Sequence, residues 1–120
     1  LINLLTNQGS NRKDLLIAIG PTISSKKYLV DLDLFKQFSK NVNSFYIYFD
    51  DFKKEIFLPL NFEKKIELDL KKYAYYQLIE ENIHPENIEI LNKCTYILDN
   101  EFHSYRKTKT NKRQWSFISN

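Results

Sequence analysis

Apolar side chains recur along the chain with two different periods, and the switches between them mark its elements. The opening Leu1-Ile-Asn-Leu-Leu-Thr-Asn-Gln-Gly9 reads as the closing turns of a helix ended at Gly9, where a positive φ costs glycine little. Leu15-Leu-Ile-Ala-Ile19 is a continuous apolar run stopped by Gly20 and Pro21, the pattern of a buried strand running into a turn. From Asp31 to Val42 the residues Leu32, Phe35, Phe38 and Val42 form a helical stripe, with Asp31 as its N-cap. The aromatic segment Phe45 to Phe49 favours a strand, and Glu55 to Leu60 reads as a second one that Pro59 confines to a sheet edge. Between Leu68 and Ile83 the apolar positions Leu70, Tyr73, Ala74, Leu78 and Ile83 recur mostly at threes and fours behind Asp69, and predict the strongest helix. His84-Pro85-Glu86-Asn87 breaks it, because proline disfavours the helical region for its predecessor. Ile88-Glu-Ile-Leu91 then alternates as a strand, and Arg113 to Ile118 predicts a last strand with Trp115 and Phe117 on one face. No repeat or Pro/Gly/Ser-rich linker interrupts this order, which predicts one α+β domain over residues 1–120, a mixed sheet flanked by helices.

Composition adds limits rather than a function. A chain of 120 residues that is 42% hydrophobic and 15% aromatic can build a core, and a net charge of +3 selects neither nucleic acid nor membrane. No apolar run is long enough to cross a bilayer, no signal segment opens the chain, and the single Cys94 fits a reducing compartment, so the expectation is a cytoplasmic protein. The chain opens on Leu1 and has no methionine, which reads as a piece of a longer protein. Only three of the 18 basic residues are arginine, Arg12, Arg106 and Arg113. Where lysine is the default cation, an arginine points to a need for its planar five-donor fork.

Candidate metal ligands are His84, Cys94 and His103, and they show no recognised ligand spacing. His84 before Pro85 reads as a turn residue, Cys94 after a strand as a small buried hydrophobe, and a Cys94–His103 nucleophile and base pair has nothing in the spacing to favour it. Glycine-rich phosphate loops and a Gly-x-Ser-x-Gly elbow are absent. The segment from His103 to Arg113 holds five cations and no acid. It reads as a solvated basic loop or as an anion site, in which Arg106 offers its fork and Tyr105, Ser104 and Thr110 add neutral hydrogen bonds. A nucleic-acid surface is the third reading, for which one short loop is a small footprint.

Three stretches, taken in order, resemble one known family over nearly the whole chain. Ile17-Ala-Ile-Gly-Pro-Thr-Ile with Tyr28-Leu-Val is similar to its Ile-Gly-Pro-x-Ile … Tyr-x-Val stretch, and Leu68 to Leu91 to its Asp-Leu helix followed by Glu-Asn-Ile and a strand. Lys93-Cys-Thr … Phe102-His-Ser-Tyr-Arg-Lys … Thr110-Asn-Lys-Arg113 resembles its closing Cys-Thr … Ser-Tyr-Arg-Arg … Thr-Gly-Arg segment. The family is the laccase-domain, or polyphenol-oxidoreductase, family. The resemblance implies a metal-dependent enzyme that binds zinc or copper through two histidines and a cysteine of its N-terminal half, with phenol oxidation and purine nucleoside phosphorolysis or deamination among its activities. A role in correcting cell-wall precursors has also been attached to bacterial members. This chain would be the C-terminal portion, with no catalytic residue or metal ligand of its own, inactive by itself, and with purine nucleoside and phosphate as ligands of the complete domain. Residue by residue, Cys94, Tyr105, Arg106 and Arg113 stand on the motif, as do Gly20 and Pro21. Lys107 and Lys112 replace an Arg and a Gly, and Thr22 and Ser24 stand where other small residues are commoner. Lys112 in the glycine position puts a positive-φ loop there in doubt. The rival expectation is a non-catalytic remnant or a self-associating binding domain.

Overall fold

The structure, a computed structural model, describes residues 1–40, 53–57, 64–98, 101–115 and 117. Val42, Phe45 to Phe49 and Pro59 lie outside them. Helix α1 (Ile2–Asn7) ends just before Gly9, which takes a φ of +101°. Strand β1 (Ile17–Ile19) follows a 3-10 turn at Arg12–Asp14, and a second such turn at Ser25–Lys27 leads into β2 (Leu29–Val30). Helix α2 (Leu32–Ser39) is capped by Asp31, whose Oδ1 accepts from Leu34 N at 2.8 Å. Strands β3 (Lys53–Phe57) and β4 (Lys64–Leu68) precede α3 (Leu70–Glu80), capped by Asp69, whose Oδ1 accepts from Lys71 N and Lys72 N. Strand β5 (Ile88–Ile90) and the short helix α4 (Tyr105–Thr108) complete the order.

The strands form two small sheets of opposite character. Antiparallel β2-β4-β3 has β3 at an edge, and parallel β1-β5 pairs Ile17 with Ile88 and Ile19 with Ile90. Helices with a mixed parallel and antiparallel set of strands make this an α+β fold. β4 is a strand that the helical reading of Leu68 to Ile83 overlooked, although Ile66 and Leu68 alternate with Lys65 and Glu67 as a half-buried strand must. Both alternating residues are fully buried, and with Val30, Phe35 and Tyr73 they make the core, which Tyr28, Leu34, Phe38, Leu70 and Tyr76 enclose. Tyr73 meets Phe38 edge-on at 5.1 Å and donates its hydroxyl to the Phe38 carbonyl at 2.8 Å, which closes the end of α2 onto α3.

α3 stops earlier than the hydrophobic period suggests. Asn82 takes a left-handed φ of 59°, Asn82 N donates to Ile79 O at 2.9 Å and Ile83 N to Leu78 O at 3.1 Å, the double bond of a Schellman ending. Ile83 turns into the interior, and Pro85–Asn87 then form a 3-10 turn capped by His84, in which His84, Pro85 and Glu86 are exposed. Arg12 ties the N-terminal segment to this corner by donating to the Glu81 carbonyl at 2.7 Å, to the Glu81 carboxylate and to Asn3 Oδ1.

Two strand expectations are corrected. The run from Leu15 to Ile19 is not buried: although α3 packs against β1, Ala18 is exposed and Leu16 is 75% exposed. Arg113, Gln114, Trp115 and Phe117 are not in a strand, and Trp115 and Phe117 stand 80% and 89% exposed. A strand needs a ladder partner, and no described strand lies beside these residues. No described helix is long and apolar enough to cross a membrane.

The alternating pair in β4 and the cap of α3 have separable costs. Ile66→Ala is expected to lower stability by about 2–5 kcal/mol through the cavity it leaves. Asp69→Ala, which removes only cap hydrogen bonds, is expected to cost about 1 kcal/mol. Urea denaturation of the two variants checks both, and equal losses would contradict the placement of Ile66 at the centre of the core.

Candidate functional site

The parallel pairing of β1 and β5 does not stop where the strands end. Leu91 N donates to Ile19 O at 2.9 Å, and further on Thr22 bridges Cys94 in the same sense, with Thr95 N donating to Thr22 O at 3.0 Å. Ile19 is level with Ile90 but Thr22 with Cys94, so the second chain has one extra residue in the interval. It is taken up at residues 91–93, where Lys93 N reaches back to Leu91 O at 2.9 Å in a tight three-residue turn. Gly20 and Pro21, expected as a turn, instead carry the chain onward from β1 to this bridge, half-buried and without a positive φ at Gly20.

This offset sets Cys94 beside Ser24. Ser24 N donates to Sγ at 3.3 Å, and Sγ lies 3.3 Å from the Ser24 hydroxyl. Cys94 is half-buried rather than the enclosed hydrophobe expected, because the bridge gives it polar neighbours. Desolvation pushes its thiol up, but hydrogen bonds from the Ser24 hydroxyl and from the Ser24, Ile97 and Tyr96 backbone outweigh that, and bring it from 9.0 down to about 7. The hydroxyl accepts from the thiol and, by rotating, donates to the thiolate.

Beyond Cys94 the chain winds through a turn, in which Leu98 N donates to Cys94 O and Phe102 N to Leu98 O, and arrives at the buried Ser104. The Ser104 carbonyl accepts from Lys107 N, Thr108 N and the Thr108 hydroxyl, which coils the basic segment into α4. Lys109 closes α4 in the left-handed region at φ 53°. The positive φ thus falls at Lys109 and not at Lys112, whose N–H is taken by the Thr110 hydroxyl at 3.2 Å.

α4 sets Arg106 over the ring of Tyr28, 5.0 Å from guanidinium carbon to centroid. That contact holds the plane of the side chain while using none of its N–H donors. Arg106, Ser104, Tyr105 and Lys109 line an open cleft of about 440 Å³ with Tyr28 and Ile23. A second cleft of about 310 Å³ is lined by His103, Tyr105, Lys112, Arg113 and Gln114. Arg113 is steadied by Nη1 donating to the carbonyls of Thr110 at 3.2 Å and Lys112 at 2.9 Å. Tyr105 belongs to both clefts, with Lys109 Nζ 5.1 Å and the Arg113 guanidinium 5.9 Å from its ring centroid. Among the described residues, no acid lines either cleft. Lys27 and Lys107 flank Tyr96 at 5.5 and 5.7 Å, which extends the positive surface.

The structure therefore brings Tyr105, Arg106 and Arg113 together and leaves Cys94 outside both clefts. Thr110 lines neither, while Ser104 lines the first. Sequence reasoning missed Ile23, Tyr28 and Lys109; the two former are far away along the chain, and the bridge at Cys94 brings their segment near. Hollows of comparable size elsewhere are lined by Glu80 and Glu81, or by Glu86 and Glu89, with no Lys, Arg or His among the described lining residues, a poor setting for an anion. Among the described residues no three of His, Cys, Asp and Glu converge as a metal site. His84 is exposed beside Glu86, His103 stands in the Arg113 cleft, and Cys94 faces Ser24.

An α+β chain with a cation-lined pair of clefts beside a lowered thiol is thus in hand, and comparison with known proteins gives its class. The profile of the multi-copper polyphenol oxidoreductase laccase family matches residues 1–120, and the chain belongs to that family. It is also similar to a purine nucleoside phosphorylase of Synechocystis sp., with 29% identity over 119 residues that cover 92% of this chain and 45% of the relative. The chain thus spans 45% of the length of the curated relative it matches. No solved structure matches it. The copper in the family's name finds no fitting set of ligands among the described residues.

The lowered Cys94 thiol has two measurable consequences. Its rate of alkylation is expected to rise with pH around a midpoint near 7 rather than 9.0. Because the folded value lies below the unfolded one, ionisation adds stability as pH rises from about 7 towards 9. Ser24→Ala is expected to move the alkylation midpoint upward and flatten that gain; an unmoved midpoint would remove Ser24 from the explanation.

Proposed function

We propose that this chain is the C-terminal half of a cytoplasmic, metal-dependent laccase-domain enzyme that phosphorolyses purine nucleosides, and that it supplies the anion-holding wall of the substrate pocket. The observation that carries this reading is the Arg106 cleft: an arginine fork with its donors uncommitted, braced on Tyr28, beside Lys109 and with no acid among the described lining residues. Phosphorolysis needs inorganic phosphate held still beside the glycosidic carbon. A fork that meets two oxygens at once fixes both position and orientation, and the flanking ammonium lowers the cost of bringing in a doubly charged ion. Tyr105 and Ser104 border the same cleft and complete a mixed charged and neutral lining. The name of the Synechocystis relative supports the choice of nucleosides over phenols. Zinc or copper belongs in this reading to residues of the complete domain other than those described here.

A second reading, a self-associating non-catalytic domain, is favoured by the exposure of Leu16, Trp115 and Phe117. Sedimentation distinguishes the two for this chain: a concentration-independent monomer counts against self-association.

For the enzyme reading, Arg106→Lys in the complete protein is expected to weaken phosphate binding by about 1–3 kcal/mol, since the ammonium keeps the charge but loses the fork once ligand desolvates the open cleft. Calorimetric titration with phosphate, together with a phosphorolysis assay on adenosine and inosine, measures it. Unchanged affinity returns Arg106 to the role of a solvated side chain.

A further inference from the structure

Tyr105 has clefts on both sides, and this arrangement goes beyond what phosphorolysis of a nucleoside requires. One phosphate needs one anion site, and the Arg106 cleft meets that need. The second cleft repeats its chemistry: Arg113 in place of Arg106, Lys112 in place of Lys109, further polar groups from His103 and Gln114, and again no acid among the described lining residues. Arg113 is held by two backbone carbonyls through Nη1 alone, so the rest of its fork faces outward uncommitted. Because Lys109 Nζ and the Arg113 guanidinium lie 5.1 and 5.9 Å from the same ring centroid, these two cations, one from each cleft, are no more than about 11 Å apart. That is within the reach of one sugar carrying groups at both ends, and too close for two unrelated ligands to bind without sensing each other.

We propose that the two clefts are paired subsites for phosphoryl groups, and that the substrate class is purine nucleoside 5′-monophosphates. Inorganic phosphate would occupy the Arg106 cleft and the 5′-phosphate of the nucleotide the Arg113 cleft, with the Tyr105 ring between them. This rests on the phosphorolysis reading above. The reaction balances without a redox partner. A phosphate oxygen forms a bond to the anomeric carbon as the bond from that carbon to the purine nitrogen breaks, the purine leaves with the electron pair and takes a proton, and a sugar 1,5-bisphosphate results. The product bears a phosphoryl group for each subsite.

The test is a titration of this chain with adenosine, adenosine 5′-monophosphate and inorganic phosphate, followed by calorimetry. Adenosine 5′-monophosphate is expected to bind at least tenfold more tightly than adenosine. Arg113→Gln is expected to bring that ratio close to one, whereas Arg106→Gln chiefly weakens inorganic phosphate. Equal affinity for the nucleoside and its monophosphate overturns the proposal, as does an equal loss of both ligands in both variants, which would mean one undivided basic surface. Assay of the complete protein separates this idea from the reading beneath it. Phosphorolysis of adenosine with no preference for the monophosphate removes the paired subsites and leaves the nucleoside enzyme. A monophosphate preference in binding, with neither compound turned over, keeps the paired site and removes the phosphorolysis.

Discussion

Parallel strands cannot be joined by a tight turn, so whatever lies between them in the chain has to leave the sheet and come back. Here β1 and β5 are the parallel pair, and the whole antiparallel unit with α2 and α3 intervenes. The ladder they begin continues to the Thr22–Cys94 bridge, and this continuation holds the Ile23–Tyr28 segment against the final quarter of the chain. Arg106 finds Tyr28 because of it. So does Cys94 find Ser24. The hydrophobic core at Ile66 and Leu68 lies elsewhere and serves a different purpose, anchoring β2 and so fixing the far end of that segment.

Local signals were legible where they depend on neighbours along the chain. Asp31 and Asp69 declare their helices, Gly9 and Pro85 their breaks, and the alternation of Ile88 and Ile90 its strand, because caps, turns and periodicity act over a few residues. β4 was lost for a different reason: Leu68 and Leu70 satisfy a strand and a helix equally well, and only Asp69 between them marks where the period changes. The strand expected at Arg113 to Ile118 shows the opposite error, since a β-favouring composition cannot create a ladder without a second strand.

At the candidate site, residue types were readable and partnerships were not. Five cations without an acid announce an anion-attracting surface at any conformation, and the resemblance singled out Tyr105, Arg106 and Arg113 among them. What sequence could not supply was the ring beneath Arg106, since Tyr28 and Arg106 meet through a pairing with a one-residue offset. The half-buried, acidified Cys94 was hidden in the same way, because the hydrogen bonds that lower its thiol come mainly from Ser24 across that bridge.

Lys109 sits in a backbone conformation that a glycine or asparagine would occupy at less cost, by roughly a kcal/mol. A sequence optimised for folding alone would replace it, and in doing so would remove the ammonium that stands beside both Arg106 and Tyr105. Thermostability engineering guided by backbone geometry would choose this position early and blunt the electrostatics of the cleft, so the trade-off between robustness and recognition in this chain is concentrated in one side chain.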